Sequence, residues 1–123
     1  MASAFLRLEG KTVKNKIWDF LIVHSEFDYS MKDIAKFSKV SYASMKNIWK
    51  EFIDRKLVIH TRDVGRAKMY KLNKKNPQVK KFIEYFWTVV ETEVRKELRM
   101  EKENIPSTRA VSAQALPVSA KSL

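Results

Sequence analysis

The chain has 123 residues, 45% hydrophobic and 11% aromatic, enough for one compact domain and little more. It has no cysteine, which excludes disulfides, thiolate metal sites and cysteine nucleophiles and agrees with a reducing, cytoplasmic setting. Its formal charge is +11, concentrated in residues 1–76 with 17 Lys and Arg against 8 Asp and Glu, and a field of that size favours a polyanion, nucleic acid before an anionic membrane.

No apolar run is long enough to span a bilayer. The opening MASAFLRLEGK carries only a short apolar patch, Phe5, Leu6 and Leu8, broken by Arg7 and Glu9, and does not read as a signal peptide. The first predicted helix runs from Thr12 to His24, with Val13, Ile17, Phe20, Leu21 and His24 on one stripe and Thr12 as its cap. Ser25 to Tyr29 reads as a connector. Ser30-Met31-Lys32-Asp33 resembles a capping box and opens a short second helix carrying Met31, Ile34, Ala35 and Phe37.

Ser38-Lys39-Val40-Ser41 interrupts that helix, with Val40 as an apolar plug. Ser41 caps a third helix to about Lys56, whose inward stripe is Met45, Ile48, Trp49, Phe52 and Ile53. Two helices joined by three or four residues have the spacing of a helix-turn-helix. Leu57 to Arg62 is rich in β-branched residues and reads as a strand. Residues 63–68 read as a basic loop around Gly65, and Met69 to Leu72 as a second strand. Asn76-Pro77 is a strong helix start, and no Gly or Pro follows until about Lys102. A helix of about 26 residues is roughly 39 Å long, more than a domain this small covers alone. Its large apolar groups are Val79, Phe82, Ile83, Phe86, Trp87, Val90, Val94 and Leu98. Residues 104–123, rich in Ser and Ala with two prolines, read as a disordered tail.

The fold class expected is mainly α with a small β-hairpin: a winged helix-turn-helix at 1–76 and a dimerisation helix at 77–103. With its apolar stripe inward, the third helix presents Tyr42, Ala43, Lys46, Asn47 and Lys50. Asn47 can pair bidentately with an adenine edge, Lys46 can reach guanine or phosphate, and Ala43 permits close approach. Ser38, Ser41 and Ser44 are short donors near the helix start, flanked by Lys32 and Lys39, suited to phosphates. The hairpin adds Arg62, Arg66 and Lys68, suited to a minor groove or flanking phosphates. Each feature alone also fits a solvated, charged surface; their order along the chain favours recognition.

The run from Ser30 to Leu72 resembles the winged helix-turn-helix regulators of the MarR and ArsR type, the small archaeal ones in particular. The residues carrying the resemblance are Ser30-Met31-Lys32-Asp33-Ile34-Ala35, Ser41-Tyr42-Ala43-Ser44-Met45, Arg55-Lys56-Leu57-Val58, Gly65-Arg66-Ala67-Lys68-Met69-Tyr70-Lys71-Leu72 and Asn76-Pro77. Many members have Gly before the first wing strand, where this chain has Lys56. The resemblance implies a homodimer placing two recognition helices in successive major grooves of double-stranded DNA. It also leaves room for a small-molecule effector between the dimer helix and the winged domain. Phe82, Phe86, Trp87, Val90 and Val94 are the expected dimer contacts, over a few turns, because Glu93, Lys96 and Glu97 interrupt a heptad.

His24, on the buried stripe, and His60, in a strand, lack partners at metal-ligand spacing and read as structural. No cofactor, metal or catalytic constellation is expected. The leading reading is a sequence-specific transcription regulator, a homodimeric repressor acting on nucleoid DNA. Two alternatives stay open. One is a protein that coats DNA with little sequence preference. The other is a winged-helix interaction module using Tyr85, Phe86 and Trp87.

Overall fold

Short polar side chains set the helix starts. The computed structural model describes residues 3–103, and in it Ser3, Thr12, Ser30 and Ser41 hold extended backbone. Each accepts the N–H three residues on, from Leu6, Asn15, Asp33 and Ser44. They open α1 (Ala4–Glu9), α2 (Val13–Val23), α3 (Met31–Ser38) and α4 (Tyr42–Asp54). The fifth helix, α5 (Pro77–Glu103), starts where Asn76 Oδ1 accepts the Gln78 N–H at 2.8 Å. Three strands, β1 (Tyr29–Ser30), β2 (Val58–Val64) and β3 (Ala67–Leu72), form an antiparallel sheet in the order β1-β3-β2.

Helices α3 and α4 end alike. Lys39 and Lys56 take left-handed backbone, with φ of 61° and 57°. After α3, Val40 N–H bonds to Ala35 C=O and Lys39 N–H to Lys36 C=O; after α4, Leu57 N–H bonds to Phe52 C=O and Lys56 N–H to Ile53 C=O. Both are Schellman closures with lysine at the position that favours glycine. At Lys56 the chain thus takes the left-handed backbone that glycine favours, and the lysine is held there at some strain. The Lys56 carbonyl accepts from the side-chain amides of Asn73 and Asn76, which tie the helix end to the entry of α5.

The core forms where α2, α3 and α4 meet the sheet, around Ile17, Ile34, Met45, Phe52, Leu57 and Leu72. Trp18 packs on Phe52 with ring centres 5.2 Å apart. Three inward assignments change. Ile53 is 42% exposed, because Met45, Trp49 and Phe52 already define the inward line of α4 and the next residue lies about 100° round the helix. Phe37 is half exposed, though it stacks on Phe20. His24 is exposed at the end of α2, its ring against Phe20 at 4.8 Å.

Helix α1 and strand β1 have no counterpart in the sequence reading. Phe5 of α1 is fully buried between Phe82 and Phe86 of α5, at ring-centre distances of 5.6 and 5.1 Å. Tyr85 Oη donates to Glu9, binding the same two helices. The chain's own N-terminal helix therefore covers the first turns of α5. By packing, the first compact unit extends through Val90, and the second begins at Glu91. The residues read as a disordered tail, 104–123, lie outside those described.

The hairpin is also longer than read. Asp63 pairs with Lys68 and Val64 with Ala67, so only Gly65 and Arg66 form the turn. Gly65 takes φ of +61° at the first turn position, which suits a two-residue hairpin.

Candidate nucleic-acid interface

Helix α4 lies with Met45, Trp49 and Phe52 in the core, which leaves Tyr42, Ala43, Lys46, Asn47 and Lys50 exposed. Lys46 Nζ sits 5.6 Å from the Tyr42 ring centre, so the tyrosine steadies that cation at the head of the helix. Ser41 and Ser44 are both engaged locally: the Ser41 hydroxyl accepts the Ser44 N–H and donates to the Ser44 hydroxyl. They shape the helix start.

A groove of about 360 Å³ runs beside that start. Ser30, Met31 and Lys32 line it from the head of α3, Tyr42 from α4, and Arg66, Ala67, Lys68 and Tyr70 from the hairpin. Four residues expected from the sequence, Lys32, Tyr42, Arg66 and Lys68, thus converge on one concavity from three elements. Three of them are cations, and a fourth polar contribution comes from the N-terminal end of α3. The groove suits one phosphodiester strand, with the exposed face of α4 on one side and the Gly65-Arg66 turn on the other.

Other expected residues lie elsewhere. Ser38 is 7% exposed, and its hydroxyl is buried without a hydrogen-bond partner, so it is a core serine and cannot reach a phosphate. It and the exposed Lys39 border a different groove, of about 610 Å³, against α1 and α2. Arg62 is exposed but engaged: its guanidinium meets Asp28 at 3.0 Å through Nε and at 3.2 Å through a terminal nitrogen. Hydrogen bonds from Arg62, and then from Thr61, hold the Asp28 carboxyl at a pKa of about 2. Lys14 and Arg55 both pair with Glu51, and lower its pKa in that order. These pairs take three cations out of the basic surface.

Of the expected dimer contacts, Phe86 is 1% exposed and packs within its own chain, and Phe82 and Val90 pack partly against the same core. Trp87 remains 43% exposed and Val94 48% exposed. The surface suggested for an interaction module loses Phe86 for the same reason. His60 bonds Asp63 at 2.6 Å, and no three His, Cys, Asp or Glu side chains among the described residues are placed to hold a metal ion. No described helix is long and apolar enough to cross a membrane.

The sequence reading missed Ser30 and Met31 as groove residues, and Asp28 and Thr61 as partners of Arg62. Ser30 carried a signal, since a helix cap also offers its first turn to an anion. Asp28 carried none, because its partner is 34 residues away.

No protein-family model matches the sequence, and no curated protein matches it. Solved structures do. A zinc-responsive MarR family member, ZitR of Lactococcus lactis, superposes with a TM-score of 0.57 at 16% identity, over 87% of this chain and 74% of that one. Wild-type ZitR in complex with DNA gives 0.56 at 16% identity, over 87% and 73%. MepR, a transcription regulator of the Staphylococcus aureus multidrug efflux pump MepA, gives 0.56 at 18% identity, over 97% and 85%.

The fold is MarR-like. At these identities the likeness is one of architecture: a mainly helical chain with a three-stranded antiparallel wing and a long C-terminal helix.

Proposed function

We propose that this chain is a sequence-specific double-stranded DNA-binding regulator that acts as a homodimer and represses by occluding promoter DNA. The observation that carries the reading is the groove in which Lys32, Tyr42, Arg66 and Lys68 meet beside the exposed face of α4. Helix α4 lies in the major groove, where Asn47 and Lys46 read base edges. The Gly65-Arg66 turn reaches the adjacent minor groove, and the strand between them occupies the concavity. The chemistry of α4 favours reading over coating, because a surface that only neutralised phosphates would not need an exposed Asn47 beside a small Ala43. That wild-type ZitR, of like fold, has been solved in complex with DNA supports the same placement.

Residues 1–76 supply the DNA-binding surface and residues 77–103 the dimer contact, through Trp87 and Val94. The setting is the cytoplasm, on nucleoid DNA. Selection from random duplex DNA at two salt concentrations tests the reading. A recovered pseudo-palindrome with half-sites about one helical turn apart is expected. Binding without a preferred site, steeply weakened by salt, would replace it with a DNA-coating role.

A further inference from the structure

Asp28 stands just ahead of β1, and β1 and β2 lie at opposite edges of the sheet with β3 between them. Its carboxylate nevertheless meets β2. Arg62 donates to both carboxylate oxygens, and the Thr61 hydroxyl donates to Oδ2. Successive residues of a regular strand point to opposite faces. Thr61 and Arg62 reach one carboxylate because the ladder slips between His60 and Arg62. His60 pairs with Tyr70 and Arg62 with Met69, leaving Thr61 as the extra residue. A bulge of this kind re-aims side chains and bends its strand. The Asp28 side chain is only 15% exposed, so the carboxylate is spent on this contact and not on solvent.

We propose that Asp28 is a positioning residue for the wing: with Thr61 it clamps Arg62 across the sheet, so that Arg62 fixes the hairpin and leaves the DNA contacts to Arg66 and Lys68. This rests on the DNA-binding reading above. From Arg62 to Gly65 the strand extends about 10 Å. A tilt of about 15° at the clamp therefore displaces the turn by about 2–3 Å, enough to break a hydrogen bond to a phosphate. The paired guanidinium releases no counterion of its own on binding, because its charge is already balanced.

Charge alone gives the opposite sign. Asp28→Asn removes a negative group beside a polyanion and frees Arg62 to join the interface, which would tighten binding and steepen its salt dependence by about 0.9 in log–log slope. The clamp requires weaker binding. The experiment uses the full chain and a mixed-sequence duplex over a salt series, with Asp28→Asn, Arg62→Ala and the double variant. Amide hydrogen exchange at Val64 and Ala67, the last pair of the ladder before the turn, is followed in the free protein. Each single variant weakens binding by about tenfold, the size of one lost charge-assisted hydrogen bond. The double variant is no weaker than either single one, the salt slope stays at the native value, and exchange at Val64 and Ala67 quickens in all three.

Tighter binding by Asp28→Asn, or a slope reduced by about 0.9 in Arg62→Ala, overturns the clamp. Thr61→Val, which changes no charge, must weaken binding in the same direction; this covers the case in which Asp28→Asn does not fold. If the native chain binds no duplex, the DNA reading falls, and exchange at Val64 and Ala67 alone decides whether Asp28 holds the wing.

Discussion

Asn47 and Arg66 offer a duplex different things. Asn47 is neutral and exposed on the outer face of α4, so its amide can discriminate a base edge but neutralises nothing. Arg66 is a cation at the turn with no ion pair to satisfy it among those seen in the described residues, so in the proposed complex its part is to meet backbone charge. Asn47→Ala should therefore reduce the ratio of specific to non-specific affinity, by about 1–3 kcal/mol, and leave the salt slope alone. Arg66→Ala should weaken binding to all sequences alike and lower the slope by about 0.9. Titrating both variants against the selected site and a scrambled one checks the contrast. Asp28 adds a pH dependence. Its carboxyl titrates at about 2 in the folded chain against an ordinary value of 3.8. A depressed carboxylate contributes its stabilisation fully above the ordinary value and loses it as pH falls through the folded one. The wing contact should thus persist unchanged from neutral pH to about 4 and fail toward 2. In Arg62→Ala the Asp28 carboxyl should titrate near its ordinary value, which carboxyl chemical shifts in an NMR titration would show.

At the scale of the element, what could be read depended on how local each cause was. The caps at Thr12, Ser30 and Ser41 act three residues away, and the stripe of α4 repeats every three or four, so α2, α3 and α4 were legible with ends correct to within about two residues. The groove was legible in its cations for the same reason: Lys32, Arg66 and Lys68 follow from cap and hairpin patterns. Helix α1 was not. Six residues cannot nucleate a helix by themselves, and this one exists because Phe5 docks between Phe82 and Phe86, some eighty residues on. Phe5→Ala should accordingly cost about 3–5 kcal/mol in denaturant unfolding, a large fraction of a domain's stability. Strand β1 and the clamp are equally non-local. Lys56 tests the reverse case, a local rule broken. Left-handed backbone costs an L-residue roughly 1–2 kcal/mol, and glycine returns roughly half of that in chain entropy. Lys56→Gly should then stabilise the fold by about 0.5–1 kcal/mol, a rise of a few degrees in Tm by calorimetry. A fall would mean that the amides of Asn73 and Asn76 depend on the lysine as well as on its carbonyl.

At the scale of the whole molecule, the burial of Phe86 separates folding from assembly. A sequence stripe cannot say which of its residues face the chain's own core and which a second copy. Helix α1 settles that for Phe86, which lies inside, while Trp87, one position further round the helix, keeps nearly half its surface. Within the second compact unit, Val94 and Leu98 lie four residues apart, the spacing of one helical face, and both are exposed. A stable interface needs about 800 Å² from each partner, and large side chains at this spacing are what would supply it. The two classes of residue should therefore fail differently. Phe86→Ala should lower the unfolding midpoint of the chain. On the proposed homodimer, Val94→Asp and Trp87→Lys should leave far-UV circular dichroism unchanged and shift sedimentation from dimer to monomer. Because two linked half-sites bind far more tightly than one, the monomeric variants should lose more affinity for the full pseudo-palindrome than Arg66→Ala does, while matching the native chain on a single half-site. If Val94→Asp sediments as a dimer with native affinity, the partner contact lies on another face and the long helix has a different use.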